Sequence, residues 1–136
     1  MINKDNISIF HLAIPTHDLK IAKSFYYDSL GFTIGRIYED RITFNVYGDQ
    51  LVCHLTPLEE LNLKPKMYPR HFGFTFLKEK FFDDLYLKAK NNNLNFYKDF
   101  FLRWPNKPEK HKSFFLCDPS GNLIEFKYYF NKQFIY

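Results

Sequence analysis

The sequence predicts an α+β fold made of two tandem βαβββ modules. Three observations carry that reading. The order strand, helix and three strands occurs twice, over about residues 7–56 and again over about 70–129. Each half opens on a strand that holds a histidine, His11 in the first and His71 in the second. The 136 residues are 46% hydrophobic and 21% aromatic, enough material for the core of one compact domain spanning 1–136.

The first strand is read over Ile7 to Ile14. Thr16 is the expected helix N-cap, and Asp18 in the first turn complements the helix dipole. Leu19, Ala22, Tyr26 and Leu30 then recur at helical spacing, and Gly31 is the expected stop. Three strands follow, Phe32 to Tyr38, Arg41 to Tyr47 and Gln50 to Thr56. Glu39-Asp40 and Gly48-Asp49 are the expected hairpin turns between them.

A link from Pro57 to Pro69 holds one helical turn at most, within Leu58 to Leu63. The order then repeats. Arg70 to Phe76 is a strand, and Glu79 to Asn91 is a helix with Phe82, Leu85 and Ala89 inward. Leu94 to Lys98 is a strand that gives way to an irregular stretch around Trp104, Pro105 and Pro108. Lys112 to Cys117 and Asn122 to Tyr129 form a hairpin about the Asp118-Pro-Ser-Gly turn.

Several function classes are set aside by composition. The net charge is +4, but Lys and Arg are dispersed among acidic residues, apart from small groups such as Lys107 to Lys112. The basic stripe of a nucleic-acid binder is missing. No apolar stretch approaches the roughly 18–20 residues needed to span a bilayer, and the N-terminal Met-Ile-Asn-Lys-Asp-Asn has no leader-like apolar core. A soluble, cytoplasmic protein is the expectation. Cys53 and Cys117 each lie in an apolar run and are read as buried thiols.

Strand alternation assigns faces. His11 shares its face with Ala13 and Ile9, and His71 shares its face with Gly73 and Thr75, while Phe72, Phe74 and Phe76 turn the other way to pack under a helix. Glu125 shares its face with Leu123, Lys127 and Tyr129. Small neighbours beside the two histidines leave room for a ligand. Glu125 lies amid Phe, Ile and Tyr, and a carboxylate buried there needs a partner. Each of the three, taken alone, also fits an ordinary hydrogen-bonded or solvent-facing residue. Two imidazoles and a carboxylate that meet would hold a divalent metal on one face and leave the other open.

The segments His11-Leu-Ala-Ile-Pro, Asp18-Leu, Ala22-x-x-Phe25-Tyr26 and Leu30-Gly31-Phe32 resemble the first motif of the vicinal oxygen chelate superfamily. Arg70-His71-Phe72-Gly73-Phe74 resembles its middle motif, and Phe115 through Asp118-Pro-Ser-Gly to Glu125-Phe resembles its last. That superfamily includes glyoxalase I, extradiol ring-cleaving dioxygenases and bleomycin-resistance proteins. The resemblance implies curved mixed sheets that enclose a metal or ligand cavity. It implies His11, His71 and Glu125 as metal ligands, closest to the dioxygenase triad, with Fe(II) foremost and Mn, Ni or Zn as other occupants. His54 lies where the superfamily places a metal-binding Glu or a second-sphere base, so ligand, catalytic base and structural residue all stay open for it. His111 shares parity with Ser113 and Phe115 and is a second catalytic candidate, with a place in the exposed basic loop as the alternative. The ring-cleaving enzymes commonly carry a Tyr before the final turn, where this chain reads Ser113-Phe114-Phe115. The implied activity is ring cleavage of a catechol-type small molecule with O2. A glyoxalase-type isomerisation, or metal-free binding as in the resistance proteins, is the alternative. A homodimer is implied by the same resemblance.

Overall fold

The computed structural model describes residues 7–136, so the N-terminal segment read as free of a leader lies outside the described residues. The chain divides after Leu63 into two compact units. Each is an open four-stranded mixed sheet with its helix on one face.

In the first unit the strands are β1 (His11–Thr16), β2 (Thr33–Ile37), β3 (Arg41–Val46) and β4 (Asp49–Leu55), in the spatial order β1-β4-β3-β2. β1 runs parallel to β4 and the other pairs are antiparallel. β1 starts four residues later than its sequence indicates and runs on through Pro15 and Thr16. Pairing sets that limit: β4 begins at Asp49, whose carboxylate accepts from Phe10 N at 3.0 Å, and the first rung is His11 opposite Gln50. Ile7, Ile9 and Phe10 ahead of it are exposed.

Thr16 closes β1 and does not cap the helix. The cap is Asp18, whose Oδ1 accepts from Lys20 N at 2.7 Å and from Ile21 N at 3.2 Å. Helix α1 (Leu19–Lys23) widens into a π-helical turn over Ser24–Ser29, which buries Phe25 and Tyr26 beside Ala22 and Leu30. Gly31 ends it at φ 77°, as its position predicts. The turn between β3 and β4 is Tyr47-Gly48, one residue earlier than expected. Both residues have positive φ, at 54° and 91°, and Val46 pairs directly with Asp49. Two positive φ values in a two-residue loop match the twist of an antiparallel hairpin.

The second unit repeats the plan with β5 (Phe72–Phe76), helix α2 (Glu79–Asn91), β6 (Phe96–Arg103), β7 (His111–Cys117) and β8 (Leu123–Tyr129). Its order is β5-β8-β7-β6, with β5 parallel to β8. α2 has the predicted bounds, and Phe82, Leu85 and Ala89 are its buried residues. Phe82 meets the ring of Phe114 at 5.2 Å and Tyr86 meets it at 5.3 Å, so the helix packs on the face of β7 opposite Ser113 and Phe115. Burying each such ring contributes roughly 1.5–3 kcal/mol. β6 is longer than predicted and absorbs the stretch 99–103 read as irregular, ending where Trp104 takes φ 50°. His71 stands just ahead of β5, not within it. Neither cysteine forms a disulfide. Among the described residues no helix is long and apolar enough to cross a membrane.

Gly73 marks a close approach of β5 to β8. It stands opposite Glu125 in the parallel pair, and a Cβ there would overlap the Glu125 carbonyl oxygen and lie 2.8 Å from its carbon. Gly48 has open space around it but sits at φ 91°. Substitution by Ala separates the two constraints. G48A should cost about 1–2 kcal/mol from backbone strain alone. G73A should cost about 3 kcal/mol or more, because β5 and β8 must part. Urea unfolding of both variants checks the ranking.

Candidate metal centre

The parallel register that puts Gly73 beside Glu125 also brings His71 to that carboxylate. His71 Nε2 lies 3.3 Å from Glu125 Oε1. The other ring nitrogen, Nδ1, is 2.7 Å from the carbonyl oxygen of Met67. A carbonyl cannot donate, so Nδ1 carries the hydrogen. Tyr68 and Phe115 meet the ring edge-on, at 5.7 Å and 5.2 Å. The second carboxylate oxygen accepts from the Ser113 hydroxyl at 2.6 Å, and Lys127 Nζ stands 4.0 Å from the first. Glu125 is 8% exposed and Ser113 is fully buried.

These atoms fit a divalent cation. With the proton on Nδ1, a neutral His71 turns its Nε2 lone pair toward a carboxylate oxygen. Two acceptors face each other at 3.3 Å, an arrangement that a cation between them, or a second proton on the ring, stabilises. Nitrogen and oxygen donors that neighbour each other around one metal at about 2.0–2.2 Å stand about 3.0–3.5 Å apart. The Met67 carbonyl and the Ser113 hydroxyl stand where outer partners would hold a ligating imidazole and carboxylate.

In the first unit, His11 and His54 are exposed and share one face of the sheet, opposite the face that buries Leu51, Cys53, Ile42 and Phe44 against the helix. His54 pairs with Pro15 on one side and Arg41 on the other. The register differs from that of the second unit. Glu125 stands opposite Gly73, two residues past His71, whereas His54 stands opposite Pro15, four residues past His11. Counted this way, Val52 occupies the place that matches Glu125. At about 3.3 Å per residue, His54 is roughly 13 Å along the strands from the level of His11. Among the described residues no three His, Cys, Asp or Glu side chains are gathered closely enough to hold a metal ion. His71 and Glu125 are thus the predicted site residues that come together.

His111 opens β7 and is 4% exposed, which rules out a place on the exposed loop. Its Nδ1 donates to the Glu109 carbonyl at 2.9 Å, and its ring stacks on Tyr129 at 4.3 Å. Burial depresses its pKa, against a smaller upward pull from the Glu109 carbonyl; Lys127 and Arg103 push further down and Glu125 pulls up.

The sequence model of the Glyoxalase/Bleomycin resistance protein/Dioxygenase superfamily matches residues 8–126. The chain belongs to this superfamily. It is 48% identical to a glyoxalase/bleomycin resistance protein/dioxygenase from Alicyclobacillus acidocaldarius, with both chains fully covered and a TM-score of 0.91. A lactoylglutathione lyase from Agrobacterium tumefaciens shares the fold at 18% identity, with 90% of this chain and 93% of that one covered and a TM-score of 0.66. So does the fosfomycin resistance protein FosX from Listeria monocytogenes, at 16% identity, 99% and 100% coverage and a TM-score of 0.71. No curated protein matches the sequence.

For a member of this superfamily, three features of the site went unread in the sequence. Ser113 lies in Ser113-Phe114-Phe115, a stretch marked in the sequence only by its lack of a Tyr. The signal was there: the five-residue turn Asp118–Asn122 sets Phe115 opposite Glu125 and Ser113 opposite Lys127. Lys127 shows in the sequence only as a face-mate of Glu125. The Met67 carbonyl has no side-chain signature.

Replacing Ser113 by Ala leaves a buried carboxylate oxygen short of a donor. The expected loss is about 1–3 kcal/mol of stability, read by urea unfolding. His111 gives a pH signature. Its depressed folded pKa means the unfolded chain binds more protons between that value and about 6.5. Its contribution is therefore full above about 6.5 and is lost as pH falls through the folded pKa. An NMR titration of the His111 ring should show a midpoint below that of an exposed histidine, and H111Q should flatten the acid limb of the stability profile.

Proposed function

We propose that this chain is a divalent-metal-dependent enzyme that acts on a small molecule through two adjacent oxygens, most like a small extradiol dioxygenase opening a catechol-type ring with O2. The observation that carries the reading is the His71–Glu125 pair, with one nitrogen anchored on Met67 and one oxygen on Ser113. His11 is proposed as the third ligand. Fe(II) is the proposed occupant, with Mn, Ni and Zn suited to the same donors. Bound there, the metal would act as a Lewis acid that draws both substrate oxygens to one point.

The chain's own groups have separate tasks in this scheme. Ser113 holds one oxygen of Glu125 and leaves the other facing His71. The Met67 carbonyl keeps the hydrogen on Nδ1. His54 takes a hydroxyl proton from the substrate, as an imidazole general base. The wide offset of His54 from His11 speaks against a fourth ligand, and so against a glyoxalase-type isomerase. His111, neutral at pH 7, is a second hydrogen-bonding group on the face of Ser113 and Glu125. A homodimer and a cytoplasmic location belong to the same proposal.

Purified protein should take up about one divalent ion per chain. H71A and E125Q should each lose more than the 10–100-fold in metal affinity typical of an outer partner. With Fe(II), air and a panel of catechols, a yellow ring-opened product is expected. Activity with Ni(II) or Zn(II) on a thiol adduct of a 2-oxoaldehyde would favour the isomerase instead. Failure to take up Fe, Mn, Ni or Zn would leave a metal-free binding protein.

A further inference from the structure

We propose that Lys127 and Arg103 form an oxyanion subsite beside the His71–Glu125 pair, so that the substrate carries a carboxylate or phosphate group in addition to its reacting oxygens. The inference rests on the reading that this face of the second unit binds substrate.

The register of β8, β7 and β6 defines the geometry. Tyr129, His111 and Arg103 make one rung across the three strands. Lys127, Ser113 and Phe101 make the next. Residues paired across a sheet share a face, so Lys127 and Arg103 stand on either side of β7, diagonal to each other across His111 and Ser113. Both lie near enough to His111 to bear on its charge. Phe101 and Phe115, stacked at 6.4 Å and 8°, form an aromatic surface that reaches to the His71 ring.

Charge on this face is out of balance. Lys98, whose Nζ lies 4.0 Å over the Phe101 ring, joins Arg103 and Lys127 as a third cation. The acidic residues of these three strands are Asp99 and Glu125. Asp99 is bound by Tyr86 and Lys90 of α2. Glu125 stands 4.0 Å from Lys127 and is already engaged by His71 and Ser113. Arg103 lies 5.0 Å over the Trp104 ring and has no carboxylate partner among the described residues. A divalent ion at His71 and Glu125 would widen the excess of positive charge, and an anionic substrate group answers it. Lys127 supplies a point charge and Arg103 a planar fork, both suited to carboxylate and phosphate oxygens.

The test uses the metal-stripped full chain, so no metal contributes to binding. Trp104 is the single tryptophan of the chain and touches Arg103, which makes its fluorescence a local reporter. Benzoate and phenyl phosphate are titrated against the neutral isostere benzyl alcohol, with calorimetry as a second readout. Saturable binding of at least one anion is expected, at least tenfold tighter than the alcohol. The anion bound more tightly identifies carboxylate or phosphate as the group. K127M and R103M should each weaken it about tenfold or more, while K127R should retain it. Equal affinity for anion and alcohol, or unchanged affinity in both Met variants, would overturn the proposal. The wild-type comparison stands even where a variant fails to fold. Metal uptake is measured separately on the same preparation. Anion binding without metal uptake sinks the metal enzyme and leaves the subsite; metal uptake without anion binding does the reverse.

Discussion

At Gly73 the backbone of β5 runs so close to β8 that no side chain fits between them. The rest of the candidate site depends on this approach. With the strands in contact at Gly73 and Glu125, a histidine two residues upstream reaches the carboxylate, and the loop before it supplies the Met67 carbonyl that holds its ring. The absent Cβ is thus a packing condition for a polar cluster. The opposite face of the same strands is filled by Phe74, Phe76, Phe114 and Phe126, stacked ring on ring. That apolar layer fixes the strands, and alternation delivers His71, Glu125 and Ser113 to the other side.

The polar cluster is satisfied by its own members except where His71 Nε2 faces Glu125 Oε1. Glu125 is nearly buried, yet one oxygen has a hydroxyl donor and the other faces an imidazole and an ammonium. A buried carboxylate left without such partners costs several kcal/mol. What stays unbalanced is the outer part of the same face, where cations outnumber carboxylates. Stability and ligand preference therefore draw on different residues of one sheet: Ser113 and Gly73 hold the centre, Lys127 and Arg103 set its surroundings.

Much of this was legible in the sequence because it follows from period and punctuation. Alternation placed Phe72, Phe74 and Phe76 on one face and His71 on the other, and the bounds of α2 followed from three apolar residues at helical spacing. What was illegible depends on pairing between segments. Where β1 begins is decided by where β4 begins, and Thr16 lost the cap to Asp18 because it is still inside the sheet. The irregular-looking stretch 99–103 became strand because β7 offers it partners through Arg103 opposite His111. The partnership of Ser113 with Glu125 is two rungs of a hairpin register, visible only once the turn length is known.

The two units show how duplicated modules diverge without losing their topology. Both sheets have the same strand order and the same parallel pair, so a histidine at the start of each is delivered to the same kind of place. The partner strand is not tied in the same way. A slip of two residues preserves side-chain parity, so it changes which residue meets the histidine without turning the strand over. In the second unit that residue is Glu125. In the first, Val52 takes the matching position and His54 lies two residues further on. The second unit thereby keeps a matched nitrogen and oxygen pair, and the first keeps an imidazole displaced along the strand. The displacement sets His54 apart from the level of His11 and of the residue that matches Glu125, so the two histidines on one face of the first sheet are not equivalent in position, and the roles proposed for them are not interchangeable.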